Sequence, residues 1–274
     1  MRHVALLCLI CTLTSWHPAR AEVEVMPRLT TFAEAAHTVA LSDDIRGVVA
    51  TGIDAQVLRG PRWSLEIFTT FRSYVRYNRE GEGVVRISPR QIHFPVGARV
   101  RFPIDAETLA ASKYSWGLQA FHQSNHDIDE NDPVLNRETI SYEVYGVTWW
   151  SPHLKALAGV YYDRGTTRAG KHQTLPFDYY LAGAQLDGWY PLSARIYGRM
   201  AFEGIVHTNG ERAPGHLNVN ITTDLGLRWP GASGEIRTFL RGQRLEDYRF
   251  LGDTSQHMLM VGLTLQGLDL GTPQ

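Results

Sequence analysis

The sequence has 274 residues, and its 27 Lys and Arg nearly balance its 28 Asp and Glu, for a formal net charge of -1. This balance gives no support to nucleic-acid binding, which usually needs a basic face. Both cysteines, Cys8 and Cys11, lie in an N-terminal segment that we expect to be removed. The mature chain would then lack any disulfide, thiol nucleophile or cysteine metal site.

The first 21 residues have the pattern of a secretory signal peptide. An apolar run over residues 4–16 follows a short positive start and leads to Ala19-Arg20-Ala21, which is an A-x-A cleavage pattern. The run is too short to cross a bilayer as a helix. We therefore predict a signal peptide over residues 1–21 and a single exported domain over residues 22–274.

No later segment reaches the roughly 18 consecutive apolar residues of a transmembrane helix. This excludes a helical membrane protein. An exported chain can still enter a membrane as a closed β-barrel, in which all backbone groups pair between strands. The sequence signal of such a barrel is only a weak alternation of apolar and polar residues.

Alternation of this kind predicts twelve strands along the chain. It is clearest over residues 217–228, where Leu, Val, Ile and Thr fill the odd positions and mostly polar residues fill the even ones. In chain order the predicted strands lie near 24–38, 45–58, 62–77, 84–102, 114–124, 136–150, 154–163, 177–188, 193–206, 217–229, 233–245 and 255–266. The first is the least distinctive, because residues 32–40 also fit a helix. Residues 103–113 interrupt the rhythm, and we predict a longer connection there with one helical turn.

The connections favour a membrane barrel over a soluble β-sandwich, which would also alternate. Short turns interleave with longer loops, as in barrels with short periplasmic turns and long outer loops. Aromatic residues of the kind that prefer the membrane interface stand beside the short turns; they are Trp149, Trp150, Trp189, Tyr190 and Trp229. We therefore predict an all-β transmembrane antiparallel barrel of about 12 strands in the bacterial outer membrane.

Charged residues on the opposite strand faces predict the content of the barrel. We expect them to fill the lumen with ion pairs; a substrate path is the alternative. The residues are Arg72, Arg99, Arg101, Arg195, Arg199, Arg237, Arg241, Glu66 and Glu203.

One hairpin carries residue types that are common in catalytic sites. His122 and Ser124 share the apolar face of their strand, and Asn136 shares the face of Tyr142 and Val144 on the returning strand. We predict that all three polar residues project outward, at the rim beside a long loop. Polar groups on a lipid face cost free energy, though little near the interface. Their placement makes sense if the substrate is itself a lipid.

These three residue types fit ester hydrolysis. Ser124 can attack an ester as the nucleophile while His122 removes its proton as general base. Asn136, across the hairpin, is placed to fix the tautomer of His122. Glu138, on the same predicted face as Asn136, is an alternative orienting group. A polar rim without catalytic function is the other interpretation.

The pattern His122-x-Ser124-Asn125, ten further residues and then Asn136-Arg137 resembles the active-site signature of outer-membrane phospholipase A. The sharp resemblance covers 16 residues, and the rest of the chain is similar in architecture only. It implies a 12-stranded barrel that hydrolyses acyl esters of membrane glycerophospholipids through a serine, a histidine and an asparagine. The matching positions here are Ser124, His122 and Asn136.

The same resemblance implies calcium and an active homodimer. The loop over residues 126–133 is acidic, and its carboxylates are oxygen ligands of the type that calcium favours. Asp127 and Asp132 are the predicted ligands, with a merely solvated loop as the alternative. The chain departs from the family at His126, where the family has glycine, and the loop lacks the family's arginine and serine. The oxyanion hole would use the backbone N–H groups of Ser124 and His126.

Two other functions stay open at this point. A lipid A deacylase also carries His-x-Ser on an outward barrel face, but it pairs the histidine with a glutamate in a smaller barrel. A non-catalytic pore or scaffold would have an open lumen and no hydrogen bonds among the three predicted site residues.

Overall fold

The computed structural model describes residues 23–42, 45–79, 85–128, 136–168, 180–207, 217–231, 234–246 and 255–269. The predicted signal peptide lies outside these residues. Over the described ranges, every regular element is a β-strand. The same residues contain no helix with the length and apolar character needed to cross a membrane.

Twelve strands confirm the predicted number. They are β1 (Glu24–Ala40), β2 (Gly47–Gly60), β3 (Trp63–Arg79), β4 (Val85–Pro103), β5 (Ser115–Ile128), β6 (Asn136–Trp150), β7 (Leu154–Arg168), β8 (Tyr180–Pro191), β9 (Ile196–His207), β10 (Leu217–Gly231), β11 (Gly234–Glu246) and β12 (Ser255–Asp269). The helical alternative for residues 32–40 is wrong. That stretch pairs with a strand on each side, and this pairing outweighs its local helix-like pattern.

The sheet closes on itself. Each strand pairs antiparallel with the next along the chain, and β1 pairs with β12, for example at Ala35 opposite Leu263. Closure leaves no strand edge unpaired, so every strand can lie in lipid with its backbone hydrogen bonds satisfied. The predicted antiparallel barrel is confirmed.

The outward positions of the strands are apolar around the whole barrel. Large hydrophobic side chains are exposed on successive strands, including Val49, Ile67, Leu118, Val160, Leu225, Leu240 and Leu263. Monomeric soluble proteins rarely expose so large an apolar surface, whereas a lipid bilayer solvates it. The chain is therefore a barrel of the bacterial outer membrane, and the soluble sandwich is excluded.

The lumen is packed with side chains. Ile205 on β9 joins a buried cluster with Phe121, Tyr142, Val144, Leu157 and Tyr161 from β5 to β7, so strands that are not neighbours meet inside the barrel. Across another part of the lumen, the Nε2 of Gln243 donates a hydrogen bond of 2.9 Å to the hydroxyl of Tyr74. A second cluster contains Ile45, Val48, Met258 and Met260 among others. Contacts of this kind fill a small barrel rather than line an open channel.

Ion pairs complete the filling of the lumen. Arg241 lies between two carboxylates. It donates two hydrogen bonds to Asp224, at 2.7 and 2.9 Å, and two to Glu34, at 2.5 and 3.0 Å. Elsewhere Arg199 donates to Asp187 at 2.8 and 2.9 Å. A third group joins Glu66 with Arg99 and Arg101, and Arg237 pairs with Glu235.

The predicted lumenal network is thus confirmed for most of its members, but it was wrong for Arg195. Arg195 is exposed in the turn between β8 and β9, because β9 begins only at Ile196.

The two ends of the barrel differ. The connections 61–62, 151–153 and 192–195 are short turns at one end, and the strand order puts the longer connection 104–114 at that same end. Short turns are typical of the periplasmic side. The predicted single helical turn is present in the 104–114 connection, where the amide of Ser112 donates to the carbonyl of Thr108 at 3.1 Å.

Candidate functional site

The β5 strand positions the two residues predicted to do chemistry. Its even-numbered residues Trp116 and Leu118 are 38% and 50% exposed, while odd-numbered Phe121 is buried in the lumen. Alternation therefore places His122 and Ser124 on the lipid side, as predicted. β5 ends at Ile128, next to a connection at the outer end of the barrel, so both residues lie in the outer half of the strand.

Ser124 is shielded although it lies on the outer surface. Only 8% of the residue is exposed. Its Oγ lies 3.2 Å from the Nε2 of His126, two residues further along the same face. A hydroxyl can donate to a neutral imidazole nitrogen or accept from a protonated one, so this contact joins a serine hydroxyl to a potential base.

His122 contacts a different residue. Its Nδ1 lies 3.0 Å from the Oε1 of Glu143, the residue directly opposite on β6. The side chain of His122 is 34% exposed and that of Glu143 is 16% exposed. Between His122 and Ser124, both of whose side chains the structure describes, no hydrogen bond is formed. His122, Ser124 and His126 make one row along the lipid face of β5, and Glu143 lies beside the first of them on β6. The row thus has a His–Glu pair at one end and a Ser–His pair at the other.

Asn136 lies further along the hairpin than predicted. The backbone register pairs it with Ile128, whereas His122 pairs with Glu143. Six residues of strand separate Ile128 from His122, which is roughly 20 Å at about 3.4 Å per residue. The side chains of Asn136, and of the alternative Glu138, lie outside the described part of the structure.

The face predicted for the returning strand is wrong. Tyr142 and Val144 are fully buried in the lumenal cluster, whereas Tyr145 and Trp149 are 56% and 45% exposed. On β6 the odd-numbered residues therefore face lipid. This is how Glu143, which was not singled out from the sequence, comes to lie beside His122. A cross-strand register would have identified it, but the sequence alone does not fix that register.

The side chains of the two predicted calcium ligands lie outside the described part of the structure. Asp132 falls in the connection 129–135, and of Asp127 only the backbone is described. Within the residues whose side chains are described, no group of three or more His, Cys, Asp or Glu could hold a metal ion. The acidic composition of the loop fits an oxygen-ligated cation by its chemistry alone.

No protein-family model and no curated protein matches the chain by sequence. The solved structures with similar barrels include the following three. Outer membrane phospholipase A from Escherichia coli is 14% identical, with a TM-score of 0.48 over 89% of this chain and 99% of that one. The calcium-bound outer membrane phospholipase dimer of Salmonella typhi is 13% identical, with a TM-score of 0.46 over 93% and 96%. The translocator domain of the autotransporter NalP from Neisseria meningitidis is 12% identical, with a TM-score of 0.36 over 96% and 94%.

Proposed function

We propose that the chain is an outer-membrane phospholipase that hydrolyses acyl esters of glycerophospholipids. One observation carries the proposal: Ser124 is a shielded hydroxyl on the lipid-facing surface, in contact with His126 and two residues from His122. A nucleophile at this place meets the ester of a membrane lipid without drawing the lipid out of the bilayer. The 16-residue resemblance described above supports the same reaction.

In this proposal Ser124 attacks the ester carbonyl and forms an acyl-enzyme, which water then hydrolyses. His122 takes the proton from the serine and returns it to the leaving alcohol. Asn136 is the orienting residue that the resemblance implies. The backbone N–H groups of Ser124 and His126 stabilise the negative charge of the tetrahedral intermediate.

His126 is a second candidate for the general base. Its Nε2 is the nitrogen in contact with the hydroxyl, at 3.2 Å. His122 lies roughly 7 Å from Ser124 along the strand, a span that an imidazole bridges after a change of rotamer. Substitution of each histidine separately distinguishes the two.

We further propose that calcium binds at the acidic loop through Asp127 and Asp132, and that the active form is a homodimer. When bound, the cation would supply positive charge near the reacting ester. Carboxylate oxygens are suitable ligands for it. The bound calcium of the Salmonella typhi dimer supports this part of the proposal by similarity only.

Lipid A deacylation is the second candidate function, and the contact between His122 and Glu143 favours it, because that family pairs its histidine with a glutamate. The number of strands favours the phospholipase, since the deacylase has a smaller barrel. The packed lumen disfavours a pore.

The test is ester hydrolysis by refolded protein in detergent micelles, with calcium or with chelator, on phospholipid and on lipid A separately. Ser124→Ala is the site variant. Thr223→Ala is its matched control, because Thr223 is a lipid-facing hydroxyl on β10, with Gly242 as its hydrogen-bond acceptor. The proposal expects calcium-dependent release of fatty acid from phospholipid that Ser124→Ala abolishes and Thr223→Ala retains. A folded wild-type barrel without activity on either lipid would overturn it.

A further inference from the structure

A carboxylate rather than an amide is the described partner of His122. The β5–β6 register places His122 directly opposite Glu143. In such cross-strand pairs the two Cβ atoms lie about 4.5–5.5 Å apart. The 3.0 Å contact between Nδ1 and Oε1 has normal hydrogen-bond length. No rearrangement of the strands is needed to form it.

The chemistry of this contact fixes a tautomer. An ionised carboxylate has no proton to give, so the Nδ1 of His122 must be the donor. In a neutral imidazole the proton then sits on Nδ1, and Nε2 carries the lone pair. A histidine whose Nε2 is unprotonated is the form that accepts a proton from a serine, and the carboxylate also stabilises the imidazolium that results.

The surroundings of Glu143 support a role in the site. A charged carboxylate on the lipid face of a barrel costs free energy near the bilayer centre and less near the interface. Glu143 sits beside the row of His122, Ser124 and His126 on the lipid face, with its side chain 16% exposed. A carboxylate on this face does not stabilise the fold, but next to a histidine it can orient the imidazole.

We propose that Glu143 is the positioning residue of His122, and that it takes the role which the sequence assigned to Asn136. This inference rests on the proposed ester hydrolysis. It changes the orienting residue of the site and leaves Ser124 and His122 in their roles. Glu143 acts through the histidine and does not touch the ester.

The experiment compares Glu143→Met, Glu143→Gln and Asn136→Ala in the full refolded protein on phospholipid micelles. Methionine nearly keeps the volume of the side chain, suits a lipid face and has no strong acceptor. Glutamine keeps an acceptor oxygen without the charge. We expect Glu143→Met to lower kcat by about 10²-fold or more with little change in KM, because removal of an orienting group affects the reaction and not lipid binding. We expect Glu143→Gln to lower kcat as well, because an amide can donate to Nδ1 and hold the histidine in the wrong tautomer, a change that costs about 10⁴-fold in a serine protease triad. We expect a smaller loss in Asn136→Ala than in Glu143→Met.

The outcomes separate this inference from the proposed function. Wild-type activity together with a Glu143→Met value within about 3-fold of it would overturn the inference and leave the hydrolase standing. A larger loss in Asn136→Ala than in Glu143→Met would also overturn it, because Asn136 would then be the orienting residue. An inactive but folded wild type refutes the proposed function itself. Heat-modifiable migration in gels, which reports the folded barrel, is measured for every variant.

Discussion

Two clusters of polar side chains lie in opposite environments, one around Arg241 in the lumen and one on the lipid face. In the lumen, Arg241 is only 3% exposed and has two carboxylate partners, Glu34 and Asp224. On the lipid face, the polar row includes the contacts of His122 with Glu143 and of Ser124 with His126. The first cluster is enclosed and charge-compensated. The second is part-buried and faces the bilayer.

The difference indicates that the lumenal cluster serves stability and the lipid-facing cluster serves the proposed hydrolysis. Buried charges in the lumen have no access to lipid, and removal of one partner leaves the others uncompensated, so this cluster acts on stability. Polar groups on the lipid face contribute little to packing, and they lie where an ester can reach them. Variants in the two clusters should therefore affect different properties: folding for the lumen, and hydrolysis for the lipid face.

The largest expected effect is on the lipid face. His122→Ala should lower kcat by about 10³–10⁴-fold, because the proton of Ser124 would lose its base, while the unfolding midpoint stays near that of wild type. His126→Ala should have a smaller effect on kcat. Hydrolysis rates and denaturant unfolding in the same detergent provide the two readouts. A greater loss in His126→Ala than in His122→Ala would transfer the role of base to His126.

A smaller effect, of the opposite kind, is expected in the lumen. Arg241→Met should lower the free energy of unfolding by about 3–5 kcal/mol, because Glu34 and Asp224 would remain buried without their cation. Residual folded protein should hydrolyse lipid at the wild-type rate per folded molecule. Urea unfolding followed by tryptophan fluorescence measures the change, and Arg195→Met, at an exposed arginine, is the matched control. Equal stability of both variants would contradict a structural role for the network.

The smallest effect is expected in a third polar cluster, which lies in water. Hydrogen bonds from Ser112 and from the backbone amides of Tyr114 and Lys113 hold the pKa of Asp105 below its usual 3.8. A depressed pKa stabilises the folded connection above about pH 4, and this stabilisation is lost as pH falls through the lower folded-state value. Amide exchange at Tyr114, corrected for intrinsic rates, should therefore be slower at pH 6 than at pH 2. Asp105→Asn should remove that difference, and an unchanged difference would count against the assigned cause.

Much of the fold followed from the sequence, because alternation is a local property. The twelve strands were placed within a few residues, and the lipid-facing side of β10 was read directly from Leu225 and Leu227, which are exposed as predicted. Closure by pairing of β1 with β12 was expected from the strand count. Lumenal ion partners such as Glu34 and Asp224 were not identified, since partners far apart in sequence leave no local signal.

The candidate site was predictable only on its first strand. His122 and Ser124 are two residues apart, so their shared face follows from strand periodicity alone. The partner of His122 depends on the register between β5 and β6, which the sequence between the strands does not specify. A shift of one residue moves every side chain to the other face, and this is why Tyr142 was assigned to lipid and Glu143 was missed.

The most direct test of a lipid-facing serine nucleophile is the covalent adduct that such a residue forms. The folded protein in micelles would be treated with a long-chain alkylsulfonyl fluoride, and the modified residue would be identified by mass spectrometry of its peptides. We expect a single adduct, on Ser124, whose formation parallels the loss of phospholipid hydrolysis and is absent in Ser124→Ala. Loss of hydrolysis with the adduct on another residue, or full hydrolysis by Ser124→Ala, would contradict the central claim.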